Sequence, residues 1–101
     1  MKIYLDDWRP APDGWTQTLT AQDTIAALAR GGVTDLSLDH DLGDDANGTG
    51  YDVLLWIEES VHLRGFDPPR IAIHSSNASA RVKMELAVEA IRRLVDSRER
   101  P

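Results

Sequence analysis

Acidic side chains that could hold a cation are concentrated in residues 39–45, where four aspartates and one histidine occupy five of the seven positions. Carboxylates this close repel one another unless a cation or solvent lies among them. An isolated stretch of this kind is more often a solvated acidic turn. A second acidic pair, Asp6 and Asp7, also follows a short apolar run, and this favours a site that both segments build together.

The acids have the oxygen chemistry of a Mg²⁺ site. Mg²⁺ or another divalent cation takes one or two carboxylates and fills its other positions with water and phosphate oxygens. We therefore predict the metal ligands Asp6, Asp7, Asp39 and Asp41. The alternative is that these acids cap helices and face water, as we expect for Asp44 and Asp45.

Two histidines follow strand-like segments and titrate near neutrality. His40 and His74 could transfer protons in opening a phosphodiester ring, with Asp39 completing the predicted catalytic set. This requires both rings to point to the same side, because side chains alternate between faces along a strand. Either histidine could instead bind a softer metal or hydrogen-bond to the backbone.

Hydroxyl, amide and guanidinium groups near these strand ends could bind phosphate. The candidates are Ser75, Ser76, Asn77 and Arg9. For the first three, simple helix capping is an equally good and compatible interpretation. For Arg9 the competing interpretation is a lone exposed side chain.

Two tryptophans, Trp8 and Trp15, lie near the first acidic pair. Either could stack on a nucleobase. A tryptophan in a loop more often covers the edge of the core, and we expect that role for both.

Short apolar strands alternate with helical segments along the chain, which is typical of an α/β fold with a mostly parallel sheet. We predict strands at Lys2–Leu5, Trp15–Leu19, Asp35–Asp39 and Arg70–His74, and helices at Ala21–Arg30, Tyr51–Leu63 and from about Asn77 to Arg98. Three of the strands end in acids, histidines or hydroxyls. In a parallel sheet these ends share one edge, where ligands bind.

The composition fits one globular domain over residues 1–101, with 97–101 as a frayed tail. The net charge of −6 disfavours a broad duplex-DNA surface, and the absence of cysteine excludes disulfides and thiolate metal sites. No apolar run approaches the roughly 20 residues that span a bilayer, so we expect a cytoplasmic protein with no membrane partner.

These motifs resemble a receiver, the phosphoacceptor domain of two-component signalling. Asp6-Asp7 resembles the receiver's acidic pair, Asp39 its central aspartate, and Ser75 or Ser76 its hydroxyl. The resemblance implies a flavodoxin-like three-layer sandwich. The chain departs from it in lacking the last β–α unit and the lysine that unit carries, and in replacing the first crossover helix with a proline-rich loop.

A closer resemblance is to the cyclic-phosphate-processing receiver-like domains. It rests on Leu5-Asp6-Asp7 with Arg9-Pro10, on Ser37–Gly43, on Gly50-Tyr51-Asp52, and on Ile73-His74-Ser75 with Asn77. The resemblance implies binding of a cyclic phosphate on a nucleotide or RNA end through a divalent cation. It leaves open whether the ligand is also processed, as in a metal-dependent cyclic phosphodiesterase. The alternatives are a signalling receiver phosphorylated on Asp39, or a non-catalytic interaction domain whose truncated side pairs with a partner protein or with a second copy as a homodimer.

Overall fold

A computed structural model describes residues 1–98. Its sheet contains four parallel strands in the order β2-β1-β3-β4. The strands are β1 Lys2–Leu5, β2 Thr16–Thr18, β3 Asp35–Leu38 and β4 Arg70–Ile73. The predicted parallel α/β fold without a fifth β–α unit is confirmed, and the strand bounds differ from the predicted ones by one residue at most.

Three helices follow β2, β3 and β4: α1 Ala21–Arg30, α2 Gly50–Arg64 and α3 Ala78–Arg98. Thr20 and Thr49 cap the first two as predicted, and the Thr49 cap is completed by Asp52 in a reciprocal capping box. Asn77 caps α3, since its Oδ1 accepts the N–H of Ala80 at 3.1 Å.

The last helix ends at Arg98, in agreement with the predicted helix, and it overlaps the predicted frayed tail by two residues. Ser97 and Arg98, which we expected in that tail, belong to α3. Arg98 donates to the carbonyl of Phe66 at 2.8 Å and pairs with Asp67, and these contacts tie the end of the helix to the loop before β4. The rest of the predicted tail, 99–101, lies outside the described residues.

The core lies between one face of the sheet and the helices. Alternate strand residues, such as Ile3, Leu5, Leu36, Leu38 and Ile73, are buried there against the helices. The opposite face carries Lys2, Arg70 and Ala72, which are exposed.

The helices of the two crossovers, α1 and α2, lie on the same face of the receiver-like sheet. The crossovers from β2 to β3 and from β3 to β4 run in the same direction across the sheet, so right-handed connections place their helices on one face. The loop between β1 and β2 contains no helix, and the fold lacks a fifth β–α unit.

The strand register sets up the edge where the acids lie. Leu5, Leu38 and Ile73 are aligned across the three neighbouring strands. The residues that follow them, Asp6, Asp39 and His74, therefore leave the sheet side by side. In the described part of the chain, no helix is long and apolar enough to cross a membrane.

Candidate metal and phosphate site

Three carboxylates meet at the carboxyl edge of the sheet. One oxygen from each of Asp6, Asp7 and Asp39 lies within 4.8 Å of the others, and we call these residues the acidic triad. Asp6 and Asp39 are buried, whereas Asp7 is exposed. An ion could therefore reach the group from solvent on the Asp7 side and meet two fixed carboxylates.

Asp6 is held rigidly by donors from three directions. Its Oδ1 accepts the backbone N–H groups of Trp8 and Arg9, each at 2.8 Å, and its Oδ2 lies 3.1 Å from Nε2 of His74. Burial raises the pKa of Asp6, but these hydrogen bonds outweigh it and the pKa lies below its usual value. Asp6 is therefore ionised at neutral pH.

Asp39 lies in the opposite electrostatic situation. Burial raises its pKa, the backbone N–H of His40 lowers it, and the negative charge of Asp6 raises it further, so the pKa lies above its usual value. The N–H of His40 donates to Oδ1 at 2.8 Å. Burial and the neighbouring charge of Asp6 thus disfavour the charged form of Asp39.

His74 is locked beside the acidic triad. Its Nδ1 lies 2.7 Å from the hydroxyl of Ser37, and its ring stacks on Tyr4 with the centroids 4.2 Å apart and the planes 3° apart. Burial lowers the pKa of His74, although Asp6 opposes this. A neutral ring that donates from Nε2 to ionised Asp6 must accept from Ser37 at Nδ1. His74 therefore orients Asp6.

Sequence reasoning missed Ser37 and Tyr4 as members of this site. The period-two alternation of a strand was the available signal, because Tyr4 precedes Asp6 by two residues and Ser37 precedes Asp39 by two. Both therefore lie on the same face of the sheet as the buried acids. The Ser37 side chain is buried there, and Tyr4 is half-buried.

The side chains of His40 and Asp41 do not join the acidic triad. Nδ1 of His40 lies 2.9 Å from Oδ1 of Asp41, whose side chain is 68 % exposed. Within residues 1–98, no hydrogen bond joins either side chain to a carboxylate of the acidic triad. An antiparallel bridge between Asp41 and Thr49 fixes this part of the loop. Asp41 is not part of the observed cluster, and catalysis by the two histidines stays a prediction.

The predicted phosphate ligands have structural contacts. Ser75 is buried and its Oγ accepts the N–H of Asn77 at 3.1 Å, while Asn77 caps α3, so the capping role is observed for both. Ser76 is exposed. Arg9 is not a lone surface residue, since its Nη1 donates to the carbonyl of His74 at 2.8 Å and its Nε lies 3.7 Å from Asp6.

Two glycines allow the surrounding loops to approach the acids. A Cβ on Gly50 would lie 1.9 Å from the backbone oxygen of Asp39, so no larger residue fits where α2 begins. Gly43 has a φ of +81°, and a Cβ there would lie 3.2 Å from Oδ2 of Asp7. The loop after β3 therefore closes tightly over the acidic triad.

The charge balance of the site fits a divalent cation. In the described part of the chain, Arg9 is the one arginine or lysine in salt-bridge range of the triad. Lys83 instead lies over the ring of Tyr51 at 3.9 Å, and Lys2 lies over Trp15 at 5.7 Å. Three carboxylates beside one guanidinium leave a net negative charge that a divalent ion can neutralise.

Comparison with known proteins supports the same assignment. The family model for the cyclic-phosphate processing receiver domain matches residues 1–90. Curated proteins and solved structures give no match. The four-stranded parallel sheet and the acidic triad are the receiver-like features that this match predicts. The chain belongs to the family of cyclic-phosphate processing receiver domains.

Proposed function

We propose that this domain binds a phosphate-bearing ligand, the cyclic phosphate of a nucleotide or an RNA end, through a divalent cation at the acidic triad. The observation that carries the proposal is the convergence of Asp6, Asp7 and Asp39 within 4.8 Å, two of them buried. Family membership supports the ligand class.

Each residue of the site has a distinct role in this proposal. Asp39 and the exposed Asp7 hold the cation. Asp6 joins them with the lone pairs that its hydrogen-bond donors leave free, since each carboxylate oxygen has two. A bound divalent cation supplies neutralisation of the charge on the phosphoryl oxygens.

His74 and Ser37 act through Asp6 in this account. Mutation of a residue that orients a metal ligand typically reduces metal affinity or activity about 10- to 100-fold. Both ring nitrogens of His74 have partners at 2.7 and 3.1 Å, so this ring is occupied with positioning. We therefore propose binding as the primary function, with Mg²⁺ or Mn²⁺ as the cation.

The contacts of the lysines favour this proposal over a phosphorylated signalling receiver. A receiver of that kind uses a lysine beside the central aspartate. Lys2 and Lys83 are instead engaged with aromatic rings away from Asp39. The basic side chains that lower the pKa of Asp39 are His74 and Arg9, and neither is a lysine.

The test is calorimetric titration with 2′,3′-cyclic AMP and with inorganic phosphate, in chelator and in millimolar Mg²⁺. We expect binding only with Mg²⁺, and we expect Asp39→Asn to remove it. The matched control is Asp35→Asn, on the same strand at the other end of the sheet. Binding in chelator that equals binding in Mg²⁺ would contradict the proposal.

The same samples test for turnover. Chromatography of the incubated cyclic nucleotide would reveal a ring-opened monophosphate, and His40→Ala and His74→Ala would show whether the histidines take part. Ring opening that is lost in both variants, while each variant still binds the cyclic nucleotide in Mg²⁺, would support the two-histidine chemistry. Cyclic nucleotide recovered unchanged from a complex that does bind would leave a phosphate-binding domain without that reaction.

A further inference from the structure

The indole of Trp8 lies in solvent at the turn that follows the first acidic pair. Its side chain is 87 % exposed, contrary to the expectation that it covers the edge of the core. The other two tryptophans are packed: Trp15 makes an edge contact with Tyr4 at 6.4 Å, and Trp56 makes one with Phe66 at 5.3 Å. An exposed indole leaves a large apolar surface in water without contributing to folding.

The backbone that carries Trp8 is nevertheless fixed. The N–H groups of Trp8 and Arg9 both donate to Oδ1 of Asp6. Nε2 of Gln17 donates to the carbonyls of Asp6 and Arg9, each at 2.8 Å. This exposed ring is therefore carried on a rigid turn rather than on a loose loop.

That turn lies against the acidic triad. Trp8 directly follows Asp7, and its nitrogen lies 2.8 Å from a carboxylate oxygen of Asp6. A ligand whose phosphate lies at the triad can therefore place a flat ring system beside Trp8.

We propose that Trp8 is the platform on which the base of the ligand stacks, and that it determines the preference for nucleotides over other phosphates. This inference rests on the proposed function, because the phosphate must first be held at the triad. Indole has a large π-face and stacks on any base, so the expected recognition is of a nucleoside phosphate without strong base preference. The guanidinium of Arg9 adds positive charge on the same turn.

The experiment measures the ratio of two affinities in millimolar Mg²⁺, for 2′,3′-cyclic AMP and for inorganic phosphate, in wild type, Trp8→Ala and Trp8→Phe. We expect Trp8→Ala to reduce this ratio about 5- to 150-fold, the usual range for removing one base–aromatic stack. Trp8→Phe, which keeps a π-face, should restore part of the preference. The matched control is Leu86→Ala, which removes another exposed apolar side chain, from α3.

A second arm distinguishes the two sources of the ligand. A trinucleotide that ends in a 2′,3′-cyclic phosphate is compared with the mononucleotide. Tighter binding of the trinucleotide that also depends on Trp8 assigns the site to an RNA end, and equal binding assigns it to a free nucleotide.

The failures of the inference and of the proposed function look different. An unchanged ratio in Trp8→Ala, with wild type binding both probes, would overturn the role of Trp8 and leave the phosphate site intact. Its exposed ring would then be better explained by a protein partner. If wild type binds neither probe in Mg²⁺, both the proposed function and this inference are wrong.

Discussion

Two aspartates at opposite ends of β3 have opposite electrostatic environments. Asp35 accepts hydrogen bonds from Nε and Nη2 of Arg70 at 2.8 and 3.2 Å, and these bonds lower its pKa to about 2. Asp39, four residues later, is buried beside the charge of Asp6, and its pKa is raised. One strand therefore carries one neutralised carboxylate and one that is not neutralised.

This difference separates a structural ion pair from a candidate binding site. At the amino end of the sheet, the fold itself supplies the cation. At the carboxyl end, the fold brings three carboxylates together and provides one guanidinium. Carboxylates without a neutralising partner are expected at functional sites, because such sites keep a group that binds a ligand even where it lowers the stability of the fold.

The largest difference between the two ends of the sheet is expected when the side chain that donates to the aspartate is removed at each end. His74→Ala leaves buried Asp6 without one partner and removes the stack on Tyr4. We expect it to lower the free energy of unfolding by about 1–3 kcal/mol, the usual consequence of leaving a buried polar group unpaired. Denaturant unfolding in chelator at neutral pH measures this loss.

Arg70→Ala is the matched control for that experiment. The Arg70 side chain is 82 % exposed, and exposed ion pairs contribute little to stability. We expect a clearly smaller loss than for His74→Ala. Equal losses would mean that the two ends of the sheet are energetically alike.

Removing the charge at each end should shift stability in opposite directions. Asp39→Asn removes a repelling, desolvated charge while keeping an oxygen for the N–H of His40, so we expect the metal-free protein to gain about 0.5–1 kcal/mol. Asp35→Asn removes the partner of Arg70 and should lose stability. If Asp39→Asn instead melts lower than wild type in chelator, this carboxylate is structural.

A smaller effect of the contrast is expected in the acid range. The pKa of Asp35 lies below the value of 3.8 in an unfolded chain, so its contribution is present above 3.8 and is lost as the pH falls toward 2. The raised pKa of Asp39 has the opposite sign, because deprotonation destabilises the folded state as the pH rises above 3.8. As the pH rises from about 2 to 3.8, wild type should therefore gain stability relative to Asp35→Asn, and as the pH rises above 3.8 it should lose stability relative to Asp39→Asn. Unfolding curves measured across both ranges check these opposite senses.

The elements and the triad could be predicted because they follow from local patterns. Apolar alternation and capping residues locate the strands and helices, and the parallel sheet then brings Asp6 and Asp39 to one edge. Those two acids are distant in sequence, yet they are neighbours because their strands are paired.

Asp41 and His40 were harder to place for the converse reason. They adjoin Asp39 in sequence, but their side chains pair with each other and not with the carboxylates of the triad. A dense acidic stretch says nothing about which members converge. The exposure of Trp8 and the partners of His74 depend on a turn and a strand register that no local pattern specifies.

The central claim is that the acidic triad binds a divalent cation, and one thermal unfolding experiment tests it most directly. The melting temperatures of wild type, Asp39→Asn and Asp35→Asn are measured in chelator and across a Mg²⁺ or Mn²⁺ titration to millimolar levels. Because a ligand that binds only the folded state raises its stability, we predict a rise for wild type and for Asp35→Asn that is largely lost in Asp39→Asn. No rise in wild type, or the same rise in Asp39→Asn, would contradict the account.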